Sequence, residues 1–182
     1  MRTPGTESGA EALRQRFVAA YPERWRRMLT DWQRADGVAT MWLIYAANYL
    51  FCTRGVRWAI DPFLAARRLP DLVAPVPLES LRSLSFALLT HGHADHLDLP
   101  LLATLRGTGV RIVLPEHLHE TVRREAMLPE TQLTPARPGR ALELAGLRVL
   151  PFPGMHWEMR SDGRRIGVEA VGYQVTVGGE KW

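Results

Sequence analysis

Cysteine and lysine are almost missing from these 182 residues. The single Cys52 excludes an internal disulfide and fits a reducing compartment, so a cytoplasmic location is expected. Of the 23 basic residues, all but Lys181 are arginine, and acids are interspersed with them along the whole chain. A net charge of +4 spread in this way makes no basic stripe, which argues against a nucleic-acid partner. Long apolar runs are lacking too. The run over 41–52 is too short to span a bilayer and holds Asn48, and the N-terminus has no signal-peptide core. A membrane partner is not expected, and no repeats or low-complexity tracts occur. What is present is 46% apolar and 23% charged residues, the composition of a globular domain with a real core.

Apolar residues at Leu13, Phe17, Val18, Tyr21, Trp25, Met28, Leu29 and Trp32 recur every three or four positions, the period of an amphipathic helix. Pro22 predicts two helices here, with the proline in the first turn of the second and residues 1–8 frayed. Residues 1–38 read as a helical extension laid over a domain formed by 39–182. Within that domain, 41–51 is apolar on both alternating faces and reads as one strand covered on both sides. A second strand over 56–60 ends at Asp61-Pro62, where spacing favours Asp61 as the cap of a short helix over 63–68. A Pro-rich connector covers 71–77 and a helical turn 78–83. Further strands are expected at 110–114, 141–144, 147–152 and 167–177. Helices are expected at 100–106, capped by Asp98, and at 115–127, with 128–139 as loop. The chain then reads as strand, Gly178-Gly179 turn and the opening of a return strand. Strands alternating with helices place the fold in the α/β class.

The stretch 85–98 carries the chemistry. An apolar run ends in His91, His93, Asp95 and His96, a density of nitrogen and carboxylate donors suited to metal. In extended chain His91, His93 and Asp95 point the same way, while His96 falls out of phase. One metal can therefore take His91 and His93, and a second Asp95 and His96. Imidazole favours Zn2+, and the carboxylate position also admits Mn2+ or iron. His117 and His119, two apart on a helix, read as surface residues. His156 follows a Pro-Gly turn that can bring it to the sheet edge, and is the favoured third ligand beside His91 and His93.

The motif Thr90-His91-Gly92-His93-Ala94-Asp95-His96, after an apolar strand and downstream of Asp61-Pro62, resembles the metallo-β-lactamase superfamily, and within it the ascorbate-phosphate-lactonase-like and related hydrolase branches. The resemblance runs over roughly 42–182. It implies an αββα sandwich with metals at one edge of two sheets. By analogy His91, His93 and His156 hold the first metal, Asp95 and His96 the second, and Asp61 orders the ligand loop instead of capping a helix. The implied activity is hydrolysis of an ester, lactone, phosphoester or similar small molecule by a metal-activated hydroxide, with Asp95 orienting it or taking up its proton.

Family members also supply a Gly-Asp-Thr-like segment with a bridging aspartate and a late histidine, and this chain ends before both. The expectation is therefore a domain incomplete at its C-terminus, with the second metal short of ligands. Its rival from another class is a non-catalytic fragment that retains at most one metal. Two other readings fit less well. His93, Asp95 and His156 would suit the two-His-one-carboxylate site of iron oxygenases, but that fold is nearly all β. His-x-His also opens amidohydrolase barrels, which need more chain. A nuclease lacks its basic groove here.

Overall fold

A computed structural model describes residues 4–37, 39–65, 78–178 and 180–181. The Pro-rich connector at 71–77 and the far end of the short helix expected over 63–68 lie outside them. Sequence begins with α1 (Pro4–Arg34), a single 31-residue helix that passes through Pro22. Two helices were expected, and the helix also starts inside the stretch expected to fray. Pro22 removes a helical hydrogen bond and costs about 3 kcal/mol. Tyr21, Trp25, Leu29 and Trp32 form one continuous buried stripe across it. Each such side chain contributes roughly 1.5–3 kcal/mol when buried, so the stripe holds the helix together. Trp32 Nε1 donates to Phe51 O at 2.8 Å, tying α1 to the sheet.

Six strands form the first sheet in sequence order: β1 (Thr40–Leu43), β2 (Tyr49–Thr53), β3 (Val56–Ile60), β4 (Phe86–Leu88), β5 (Arg111–Pro115) and β6 (Leu133–Ala136). β1, β2 and β3 are antiparallel, while β3 to β6 run parallel. The strand expected over 41–51 is thus two. Asn48 breaks it, because its side-chain oxygen accepts Ala46 N–H and its carbonyl accepts Ile44 N–H, closing a turn. β1 is consequently an edge strand with Met41 and Leu43 exposed. β6 lies where loop was expected; Pro135 is tolerated there because β6 is the other edge of the sheet.

The second sheet holds β7 (Leu142–Leu144), β8 (Leu147–Met159), β9 (Arg165–Val177) and β10 (Glu180–Lys181), in the order β10-β9-β8-β7. β8 and β9 are 13 residues each and form one long hairpin. Pro153-Gly154, expected to turn the chain, instead lies inside β8, and His156 pairs with Val168. Between the sheets pack Trp58, Phe86, Leu88, Val149, Val171 and Val175. On the first sheet's other face lie α1, α2 (Leu78–Leu81), α3 (Leu99–Thr104) and α4 (His119–Glu125), sharing a core with Leu50, Ala59, Ala87 and Ile112. The layers are helices, sheet, sheet. Among the described residues no helix covers the second sheet's outer face, so three of the four layers of the expected sandwich are present.

Candidate metal centre

β3, β4 and β5 are parallel, so their carboxyl ends meet at one edge of the sheet, where α/β folds place ligands. Asp61 ends β3, and the 90–96 loop leaves β4 beside it. Asp61 has φ 43°, a left-handed conformation that Asp tolerates better than most side chains, and it is 1% exposed. Its carboxylate makes no helix cap among the described residues. Instead Oδ1 accepts Thr90 N–H at 2.7 Å, and Oδ2 accepts Thr90 Oγ1–H at 2.5 Å and His96 Nδ1–H at 2.7 Å. This arrangement overturns the capping expectation drawn from spacing.

These bonds set the histidine tautomers. Thr90's hydroxyl proton goes to Asp61, so its oxygen, 2.9 Å from His91 Nδ1, accepts from that nitrogen. The proton of His91 is then on Nδ1 and its Nε2 carries a free lone pair. His96 is fixed in the same sense by its bond to Asp61. Burial, with the neighbouring His96, His93 and His156 adding to it, lowers the His91 pKa to about 4, so the ring is neutral at ordinary pH. The Asp61 hydrogen bond raises His96, while burial raises Asp61 against the opposing pull of His96 and Thr90.

Asp95 does not stay in phase with His91 and His93. The loop turns after His93, whose carbonyl accepts both His96 N–H and Leu97 N–H, at 2.9 and 2.8 Å. Asp95 is half-buried in that turn, its carbonyl held by Asn48 Nδ2 at 2.8 Å. The same amide donates to Asp61 O at 2.9 Å. Asp98 caps α3 as expected, accepting Leu101 N–H, and its other oxygen accepts Leu64 N–H.

His156 arrives from β8 on the second sheet. Its ring centroid is 4.7 Å from His91 and 4.8 Å from His93, and one ligand atom from each of the three lies within 4.8 Å of the others. The Nε2 atoms of His91 and His93 are buried without a hydrogen-bond partner. Buried polar atoms left unpaired cost free energy, and three converging imidazoles fit a metal ion. A second cluster joins Asp61, His91 and His96. Asp61 and His96 stand 2.7 Å apart, however, which is a hydrogen bond; two donors on one ion are about 3.4 Å apart, given metal–donor distances of about 2.0–2.2 Å. We therefore read Asp61 as the residue that aims His96. Asp95 belongs to neither cluster.

His117 and His119 join neither donor cluster and stand beside Glu169 and Glu130 at 3.3 and 3.1 Å. His119 is less open than expected, with its side chain 20% exposed. Sequence reading missed Asn48, Tyr173 and Val171. Tyr173 Oη donates to Leu89 O at 2.7 Å and Val171 N–H to Thr90 O at 2.9 Å, fastening β9 to the ligand loop. No helix among the described residues is long and apolar enough to cross a membrane.

A family model described as "Beta-lactamase superfamily domain" matches residues 57–182. A UPF0173 metal-dependent hydrolase of Metallosphaera sedula is 29% identical over 121 residues, 66% of this chain and 51% of that protein. The chain thus spans about half of that relative's length. Among solved structures, Igni18, a metallo hydrolase of Ignicoccus hospitalis, superposes with TM-score 0.54 at 20% identity, covering 79% of this chain and 57% of that one. CmlA, a diiron β-hydroxylase of Streptomyces venezuelae, gives TM-score 0.57 at 18% identity, covering 81% and 29%.

Proposed function

The chain belongs to the metallo-β-lactamase superfamily, and on that premise we propose that it carries the metal centre of a metal-dependent hydrolase acting on a small ester, lactone or phosphoester. In this reading His91, His93 and His156 hold the first ion, Zn2+ in the simplest case, and Asp95 with His96 contribute to a second, for which Mn2+ or iron also serves. The observation that carries it is the pair of buried, unpartnered Nε2 atoms of His91 and His93 facing His156. When bound, the ions would supply Lewis acidity and lower the pKa of a coordinated water.

The residues of the chain do the rest. Asp61 and Thr90 hold His91 and His96 in the tautomer that leaves Nε2 free. Asn48 fixes the turn that carries Asp95, and Asp95 is the carboxylate assigned to take up a proton from the attacking water. The CmlA likeness, which concerns fold alone, leaves iron in play as the metal to be tried beside zinc and manganese. The nucleic-acid and membrane alternatives have no support from charge or from an apolar helix, and a soluble cytoplasmic setting is the location this reading takes.

A second reading is favoured by one observation: Asp95 lies outside both donor clusters. On that reading the chain holds one ion and turns nothing over. Equilibrium dialysis followed by metal analysis, with esters, lactones and phosphodiesters as substrates, separates them. Two ions and turnover, with the first ion and the turnover lost in His93→Ala, support the hydrolase. One ion without turnover supports the non-catalytic form, and no metal in the unaltered chain contradicts both.

A further inference from the structure

We propose that Glu158 is a carboxylate donor to the ion held by His91, His93 and His156, an inference that rests on the metal reading above. Glu158 follows His156 by two positions on β8, and alternation along a strand directs both side chains to one face. Its Oε2 lies 3.7 Å from His93 Nε2, a nitrogen that is buried and has no hydrogen-bond partner. That separation is too long for a hydrogen bond. It is close to the separation of about 3.4 Å expected for two donors sharing one tetrahedral ion. The spacing therefore suits shared ligation better than direct pairing.

Charge points the same way. Three neutral imidazoles leave both charges of a divalent ion uncompensated, and a carboxylate beside the ion offsets part of that charge. The carboxylate of Asp61 is engaged by Thr90 and His96; Asp95 and Glu158 both stand outside the three-histidine cluster, and of the two Glu158 has its Oε2 3.7 Å from His93 Nε2. Glu158 approaches His93 from the opposite sheet. Its side chain is 51% exposed, so it has little structural duty and is free to move onto an ion. In this arrangement the hairpin delivers two donors, His156 and Glu158, while the 90–96 loop delivers His91 and His93.

The test is a Co2+ titration of the whole chain followed by its visible absorption bands, a readout that needs no substrate. Glu158→Gln should weaken Co2+ binding roughly 10- to 100-fold and change the band intensities, with the melting temperature of the metal-free protein unchanged. Glu158→Asp, which keeps the charge on a shorter stem, should recover part of the affinity. Unaltered affinity and bands in Glu158→Gln would overturn the proposal. Failure of the underlying metal reading looks different: Co2+ binding would be absent from the unaltered chain, or would persist in His93→Ala.

Discussion

The 90–96 loop and the outer half of the β8–β9 hairpin both contribute histidines to one cluster, and they are built in opposite ways. Around the loop, apart from the Nε2 atoms of His91 and His93, a dense set of hydrogen bonds is made. Asp61 takes three hydrogen bonds, Asn48 bridges Asp61 and Asp95, and Tyr173 and Val171 fasten the loop from the other sheet. The outer hairpin has its ladder, with Arg165 stacked over Trp157 and Glu169 beside His117 at the surface. Phe152, Met155, Trp157 and Met159 are 47–69% exposed, and His156 is exposed with them. A site can therefore be assembled from one preorganised part and one part supported mainly by its own strands. Folding stability is expected to concentrate in the first, and the proposed donors of the second to add little to it.

Substitutions should separate the two halves by their effect on folding. Asp61→Ala leaves Thr90 N–H, Thr90 Oγ1–H and His96 Nδ1–H without their acceptor, and is expected to cost about 3 kcal/mol or more. Asp61→Asn, which keeps an acceptor for Thr90 N–H, should cost less. Urea unfolding of the metal-free protein measures both, and a cost below about 0.5 kcal/mol for the alanine variant would break the comparison.

Tyr173→Phe removes one bond to the loop, worth about 1 kcal/mol at neutral pH by the same measurement. It should also change the alkaline limb. Burial first, and then the charge of Asp61, push the Tyr173 hydroxyl well above its ordinary 10. Between the unfolded and folded pKa values the folded state holds more protons. The contribution is thus complete below about pH 10 and is lost as pH rises above it. Melting curves of the phenylalanine variant should fall less steeply over that range, and parallel curves would show that Tyr173 does not bear on the limb.

His156→Ala, on the hairpin, should change unfolding free energy by no more than about 0.5 kcal/mol. Yet metal affinity should drop by more than about 100-fold, because a direct ligand is gone and loss of an outer-shell partner alone costs about 10- to 100-fold. Denaturation together with dialysis checks the pairing of these effects. A large loss of stability would mean that the hairpin is as much a part of the structural core as the loop.

The metal motif was legible because its donors are adjacent in sequence and lie at the end of a buried run. Asp98 was legible for a similar reason, since a cap acts within three residues. Other features depend on partners distant in the chain. Pro22 reads as a break until the stripe from Tyr21 to Trp32 meets the sheet. Pro135 excludes a strand until β6 is seen to lie at an edge. Asn48 and Tyr173 look ordinary because their partners, at Asp61, Asp95 and Leu89, are remote. Pro153-Gly154 looks like a turn, but pairing with Val171 and Ala170 carries the strand past it. Glu158 had a local signal, its two-residue spacing from His156, which means little until His93 is found opposite. Asp95 was given the phase of an extended chain, and the turn closed by the His93 carbonyl takes it out of that phase.

The central claim is that His91, His93 and His156 bind one ion together. X-ray absorption at the zinc edge, on protein loaded with one equivalent of Zn2+, counts imidazole ligands directly. Three imidazole nitrogens at about 2.0–2.1 Å, falling to two in His156→Ala, is the expected result. A spectrum with fewer than three imidazoles, or one unchanged by His156→Ala, would contradict the account.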